Sequence, residues 1–156
     1  LRAALGAVTG EYDYCIIDNA PDINISVINA LVASDYVLIP IKIDNFAFDG
    51  LKELKEQIIN TQEDLNPDLQ LLGCFVTSYQ NNDVNSQGEE WLKAQADYPL
   101  FDTHIRRTEK VDESTFAAMP IMLYSRRCGA ALDYLKFVEE LLSRIKSLSE
   151  SDKKAV

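Results

Sequence analysis

The sequence has one histidine, His104, and only three cysteines, Cys15, Cys74 and Cys128. A single imidazole excludes multi-histidine metal sites and leaves a Ser/His/Asp scheme little to draw on. The cysteines are odd in number and far apart, which argues against a disulfide framework. Cys15 and Cys74 lie inside apolar runs, so buried, reduced thiols are expected. Glycine is scarce as well. Gly6, Gly10, Gly50, Gly73, Gly88 and Gly129 never fall into GxxxxGK[ST] or GxGxxG. Neither the phosphate-cradling loop nor the dinucleotide fingerprint is therefore present. No apolar run approaches the ~18 residues of a membrane span, and no signal-peptide pattern is visible. A cytosolic location is the expectation.

What is present suits one globular domain: 156 residues, 47% apolar and 26% charged. The expected boundaries are a domain over 1–150 and a frayed tail over 151–156. The formal net charge is −10, which argues against indiscriminate binding of nucleic acid by the whole surface. The charge is uneven, however. Residues 1–105 carry 5 basic and 17 acidic side chains, and residues 106–156 carry 10 and 8. Contacts with a polyanion are expected in the last third.

Along the chain, Leu1, Leu5 and Val8 repeat at helical spacing before Gly10, which reads as the tail of a helix that starts upstream. The stretch YDYCIIDNAPDI, Tyr12 to Ile23, reads as an apolar strand ending on Asp18, followed by a helix over Asn24 to Ala33. Asp35–Ile43 is a second buried strand, and Phe46 to Leu65 a long helix with Leu51, Leu54, Ile58 and Leu65 on one face. Leu69–Tyr79 is a third strand. Helices are expected around Gly88 to Ala96 and Lys110 to Ala118, with a short strand, Phe101 to Ile105, between them. Ile121–Tyr124 reads as extended, and a last helix runs from Arg127 to Leu148. On it Leu135, Val138, Leu142 and Ile145 form an apolar stripe read as core. Alternating strands and helices predict an α/β fold with a mainly parallel sheet and helices on both faces.

Asp18 stands at the carboxyl end of its strand, where open α/β sheets bind ligands and where a carboxylate reaches a metal ion or a water. The competing reading is a cap for the next helix. A phospho-acceptor receiver would need an acidic pair after an earlier strand, and nothing before Tyr12 supplies it.

The ordered set YDYCIIDNAP, INAL (Ile28–Leu31), DYVLIPIKIDNFAFDGL, NPDLQLLGCFVTSY and LFDTHIRRTEKVDESTFAAMPIMLYSRRCGAALDYLKFVEEL resembles the ParA-type partition ATPases. These are the deviant-Walker P-loop group that includes MinD-like proteins. The match covers nearly the whole chain in the family's order and corresponds to its C-terminal portion. The family's P-loop, with its signature lysine, and its catalytic switch Asp lie N-terminal to this stretch.

The resemblance implies roles residue by residue. Asp18 matches the Walker B Asp that holds nucleotide-bound magnesium, usually through water, as both a catalytic and a metal residue. Asp22 stands where a small polar residue is common; it either orients a water near the γ-phosphate or caps the following helix. Thr77 matches a position facing the base, and Ile105, Arg106 and Arg107 match the Ile-Pro-Arg segment that packs on adenine. Here Arg106 replaces the Pro, so the fixed φ of that turn is lost and a guanidinium is available to stack. Arg106, Arg107, Lys110, Arg126 and Arg127 are the candidate DNA contacts, each with nearby Glu109, Asp112 or Glu113 as competing partners.

For an intact family member the resemblance implies ATP and magnesium, a nucleotide-dependent dimer and sequence-independent DNA binding. It also implies a centromere-binding partner protein, a nucleoid-associated cytoplasmic location and no membrane contact. For these 156 residues alone, neither ATP hydrolysis nor a bound cofactor is expected. The alternative is a non-catalytic interaction module that binds a protein partner.

Overall fold

A computed structural model describes residues 1–20 and 23–154. Its elements in order are α1 (Arg2–Gly6), α2 (Ile25–Ala33), β1 (Tyr36–Lys42), α3 (Asn45–Asp64), β2 (Gln70–Thr77), α4 (Asp83–Ala94), α5 (Glu109–Phe116), α6 (Ile121–Tyr124) and α7 (Gly129–Lys154). The fold is α/β: β1 and β2 pair in parallel across the α3 crossover. The chain forms two compact units, Leu1–Val37 with Asn45–Leu71, and Leu38–Asp44 with Leu72–Val156.

In the first unit, α2 opens on Asn24, whose side chain accepts from the Ser26 and Val27 amides. Its buried face is Val27, Ala30 and Leu31, and α3 contributes Leu51 and Ile58 to the same unit's core. The far end of α2 is closed by Asn66, 35 residues on, whose amide donates to the Leu31 and Ser34 carbonyls at 3.0 and 2.8 Å. Helix C-termini leave carbonyls unpaired, and this buried amide satisfies two of them. Leu65, expected on the apolar face of α3, falls past the helix end and is exposed.

The second unit is built on β2, in which Leu72, Gly73, Cys74, Phe75 and Val76 are all buried. Phe75 stacks on Phe137 of α7 at 4.3 Å, and Phe101 packs on the same ring at 5.1 Å. Gly73 sits at φ +144, with the Pro99 carbonyl and Arg144 where a Cβ would stand. Only glycine fits there.

Five expectations are corrected. Tyr12 to Asp18 is not a strand. It has no ladder among the described residues, and the Tyr12, Tyr14 and Ile16 side chains are open, Ile16 at 91%. An apolar run becomes a buried strand only where neighbours pair with it on both edges. Cys15, expected to be buried in that run, is exposed for the same reason.

Phe101 to Ile105 also fails as a regular strand. The Phe101 amide donates to Cys74 O and the Ile105 amide to Val76 O, so four residues advance beside two of β2 and 102–104 bulge out. The freed Asp102 and Thr103 amides donate instead to the Glu140 carboxylate at 2.8 and 2.9 Å. Arg144 donates to the Leu72 and Leu100 carbonyls and lies 3.7 Å over the Phe101 ring. Two side chains of α7 thus replace a ladder.

Ile121–Tyr124 is one helical turn rather than an extended segment, because Pro120 pre-sets its start and the Leu123 and Tyr124 amides both donate to Pro120 O. Finally, Leu135, Val138 and Leu142 are exposed and do not form core. Helix α7 turns Ala130, Ala131, Asp133 and Phe137 inward instead. That face contains Asp133 and Arg144, so apolar spacing alone points to the wrong side.

Candidate functional site

The second unit holds a cleft of about 340 Å³ at the carboxyl ends of β1 and β2. Open parallel sheets bind ligands at such ends. Lys42 and Thr77 are the last residues of the two strands. Ser78 follows at φ +52, a left-handed position that non-glycine residues rarely take. The other wall runs from Ile105 to Thr108, and α5 and α7 contribute Asp112 and Tyr134. Thr77, Ile105, Arg106 and Arg107, expected from resemblance to contact a base, all line this one cleft.

Arg106 is fixed before any ligand arrives. Its Nε and Nη2 donate to the two Asp133 oxygens at 2.7 Å each, and its backbone amide donates to the same carboxylate at 3.1 Å. Burial pushes the Asp133 carboxyl up, but the hydrogen bonds and charge of Arg106 outweigh it and hold the group below its ordinary value. The carboxylate in turn holds the guanidinium above its ordinary value. Gly129 makes the pair possible, because a Cβ there would run into Arg106 Cδ. The turn at Arg106 and the start of α7 are therefore packed together.

The remaining cations divide. Lys110 is held by Glu113 at 2.7 Å, and Glu113 also accepts from the Tyr124 hydroxyl at 2.8 Å. Arg107, Arg126 and Arg127 are exposed, and among the described residues no carboxylate pairs with them. Of the competing partners expected from the sequence, only Glu113 is used; Asp133, 27 residues from Arg106, was not anticipated.

Asp18 belongs to the first unit, where it is exposed after the unpaired stretch. Among the described residues no group of three metal-ligating side chains occurs. Asp22 lies outside the described residues, and Asn24 makes the helix cap for which Asp18 and Asp22 were alternatives. Sequence reasoning missed Lys42, Ser78 and Tyr134 as cleft residues. Lys42 was recoverable, since it ends a parallel strand; Tyr134 was not, since its place depends on how α7 is rolled.

Comparisons with known proteins decide the family. Residues 1–71 match the family model for an AAA domain. The chain is 33% identical over 147 residues to the chromosome partitioning protein ParA of Caulobacter vibrioides, covering 92% of this chain and 55% of that protein. It is 34% identical over 142 residues to the sporulation initiation inhibitor protein Soj of Bacillus subtilis, covering 90% and 56%. The chain belongs to the ParA-type ATPases. Its fold is similar to cobyrinic acid a,c-diamide synthase from Mycobacterium smegmatis, solved with a bound ATP analogue and magnesium. That match has a TM-score of 0.78 and 26% identity over 94% of this chain and 54% of that one. The chain spans about half the length of the relatives it matches. No helix among the described residues is long and apolar enough to cross a membrane.

Proposed function

We propose that the intact protein is a magnesium-dependent partition ATPase and that this chain supplies its Walker B aspartate and its base site. The observation that carries the reading is the convergence of Thr77, Ile105, Arg106 and Arg107 on one cleft at the carboxyl ends of two parallel strands. A cavity of about 340 Å³ suits a nucleobase and its sugar. Thr77, Ser78 and Gln80 offer hydrogen-bonding groups, buried Ile105 an apolar wall, and Arg107 a free guanidinium to stack or to meet a phosphate.

Asp18 fits magnesium in the way that ion is usually held, by one or two carboxylates with waters and phosphate oxygens completing the shell. An exposed single carboxylate suits that role and suits zinc poorly. Magnesium would neutralise charge on the phosphates. The chain's own part is to hold the base, through the cleft, and to offer the Asp18 carboxylate.

In the same reading the intact protein forms a nucleotide-dependent dimer, binds DNA without sequence preference and answers to a centromere-binding partner in the nucleoid-associated cytoplasm. Arg107, Arg126 and Arg127 are the phosphate contacts, with Arg106 and Lys110 engaged by their carboxylates. The open Tyr12, Tyr14 and Ile16 side chains favour a second reading, in which the chain serves as a protein-binding module.

Hydrolysis by the intact protein separates the two, since the first reading requires it and the second does not. Positioning is most of phosphoryl-transfer catalysis, and the 156 residues lack the phosphate cradle and its lysine. They should turn over no ATP by themselves. Turnover above buffer that Asp18→Ala removes would contradict the division of roles proposed here.

A further inference from the structure

His104 has a ring nitrogen with nothing to bond. Its Nδ1 is buried and has no hydrogen-bond partner among the described residues. Buried polar atoms are paired as a rule, so this one calls for a reason. The group it faces is the Glu89 carboxylate of α4, 3.7 Å away, on a residue that is itself 9% exposed. Lys93 reaches the same carboxylate oxygen at 3.4 Å. Asp133 of α7 is also within electrostatic reach, with Arg106 already bonded to it. The imidazole stacks on Tyr79, with ring centroids 3.8 Å apart and planes 18° from parallel. Tyr79 stands between the cleft residues Ser78 and Gln80. Its backbone donates to the Ile105 carbonyl at 3.0 Å and accepts from the Arg107 amide at 2.9 Å. The His104 ring is therefore clasped to the strand end that lines the cleft. Helix α4 is fixed in its turn, because Gly88, next to Glu89, packs so closely that a Cβ would run into Ile43.

We propose that His104 is a positioning residue for the nucleotide cleft, engaged when its ring is protonated and slack when it is neutral; this rests on the base-site reading above. Protonation places a proton on both ring nitrogens. Nδ1 then aims a charged donor at a buried carboxylate, and closing the gap to about 2.8 Å makes a charge-assisted hydrogen bond. The side chain is 36% exposed, so protons reach it from solvent. With α4 packed in place, the ring is drawn in, and the wall from Tyr79 to Arg107 is secured against that helix. Asp133 secures the same wall from α7 through Arg106. A cleft fixed beforehand loses less freedom when a nucleotide enters. The added positive charge also favours an anionic ligand. Both effects strengthen nucleotide binding as pH falls through the range in which imidazoles titrate, about pH 5 to 8.

Calorimetric titration of magnesium–ADP into the intact protein, at about pH 8 and about pH 6, tests this across the imidazole range. Wild type should bind about fivefold more tightly at the lower pH, the low end of ordinary coupling between sites. His104→Gln, uncharged at both pH values, should lose most of that gain. Glu89→Gln removes the acceptor's charge and should lose it too. Glu89→Asp keeps the charge but shortens the reach, and should behave like Glu89→Gln. Ionisation of the nucleotide phosphates is common to all variants, so differences between variants isolate the ring. Circular dichroism checks that each variant is folded. Equal affinity at the two pH values in wild type overturns the proposal, and so does a gain that survives in His104→Gln. A gain that His104→Gln removes and both Glu89 variants keep also overturns it, since the ring then acts as a distant charge without its hydrogen bond. Magnesium–ADP that binds at neither pH would overturn the base site itself, and the role of His104 with it.

Discussion

Arg106 grips Asp133 by three hydrogen bonds, two from the guanidinium and one from its own backbone amide. Asp133 is 4% exposed, so this contact lets a buried anion sit at the start of α7. It also ties the cleft wall to that helix, which makes the pair a positioning element for Ile105 and Arg107 on either side. Replacing Arg106 with Ala should cost about 2 kcal/mol. That is less than a fully buried pair would lose, because the arginine side is half exposed. Asp133 titrates below its ordinary value when folded, so its contribution is complete above the usual carboxylate range and disappears as pH falls through the depressed value. The stability gap between Arg106→Ala and wild type should therefore be full near neutral pH and narrow as pH falls through the depressed value. Urea denaturation across pH 2–6 reads both effects. Gly129→Ala should reproduce part of the loss, because a methyl group displaces the guanidinium.

A second prediction concerns the end of α5. Ala118 sits at φ +48, where the chain closes the helix with the Met119 amide on Ser114 O at 2.9 Å. Glycine is the usual residue at such a position, because an L side chain crowds the carbonyl. Ala118→Gly should raise stability by about 0.5–1 kcal/mol, despite the entropy glycine adds to the unfolded chain. No gain in thermal midpoint would mean the strain is relieved elsewhere.

Two of the three thiols, Cys15 and Cys74, should separate by rate. Cys74 is fully buried, and burial pushes its pKa up to about 12, so almost no thiolate forms at neutral pH. Cys15 is exposed. Under native conditions a thiol reagent should modify Cys15 promptly and Cys74 only on unfolding. Equal rates would place Tyr12–Asp18 in a protected environment after all.

Much of this was legible in the residues. The helix over Ile25–Ala33, the strands at β1 and β2 and the long α3 all follow from apolar spacing and end signals, and the structure keeps them within a residue or two. What failed depended on partners distant in sequence. Whether YDYCIID becomes a strand depends on pairing at its edges, which a local pattern does not contain. Which side of α7 faces inward depends on Asp133 meeting Arg106 and on Arg144 reaching Leu72, and both are polar residues that a hydrophobic count places outside. The cleft is a middle case. Resemblance pointed to Thr77 and Ile105–Arg107, and the strand-end rule reaches Lys42, but Tyr134 enters only through the roll of α7.

For DNA, three of the five candidate cations carry the expectation. Arg106 and Lys110 are engaged by Asp133 and Glu113, while Arg107, Arg126 and Arg127 have no carboxylate partner among the described residues. In the intact protein, Arg126→Ala with Arg127→Ala should weaken duplex binding uniformly across sequences. It should flatten the salt dependence by about one unit for each phosphate no longer neutralised. Lys110→Ala should do much less. An unchanged slope in the double variant would move the DNA face elsewhere.

Magnesium-dependent ATP turnover by the intact protein, measured with and without Asp18→Ala, bears most directly on the proposed function. Asp18 is exposed, so the substitution should leave the fold intact by circular dichroism. Turnover should fall by about a hundredfold or more, the scale on which a single electrostatic stabiliser acts, while the cleft around Thr77 and Ile105 is retained. Undiminished turnover in the folded variant would contradict the assignment of Asp18 and, with it, the reading of this chain as the Walker B half of a partition ATPase.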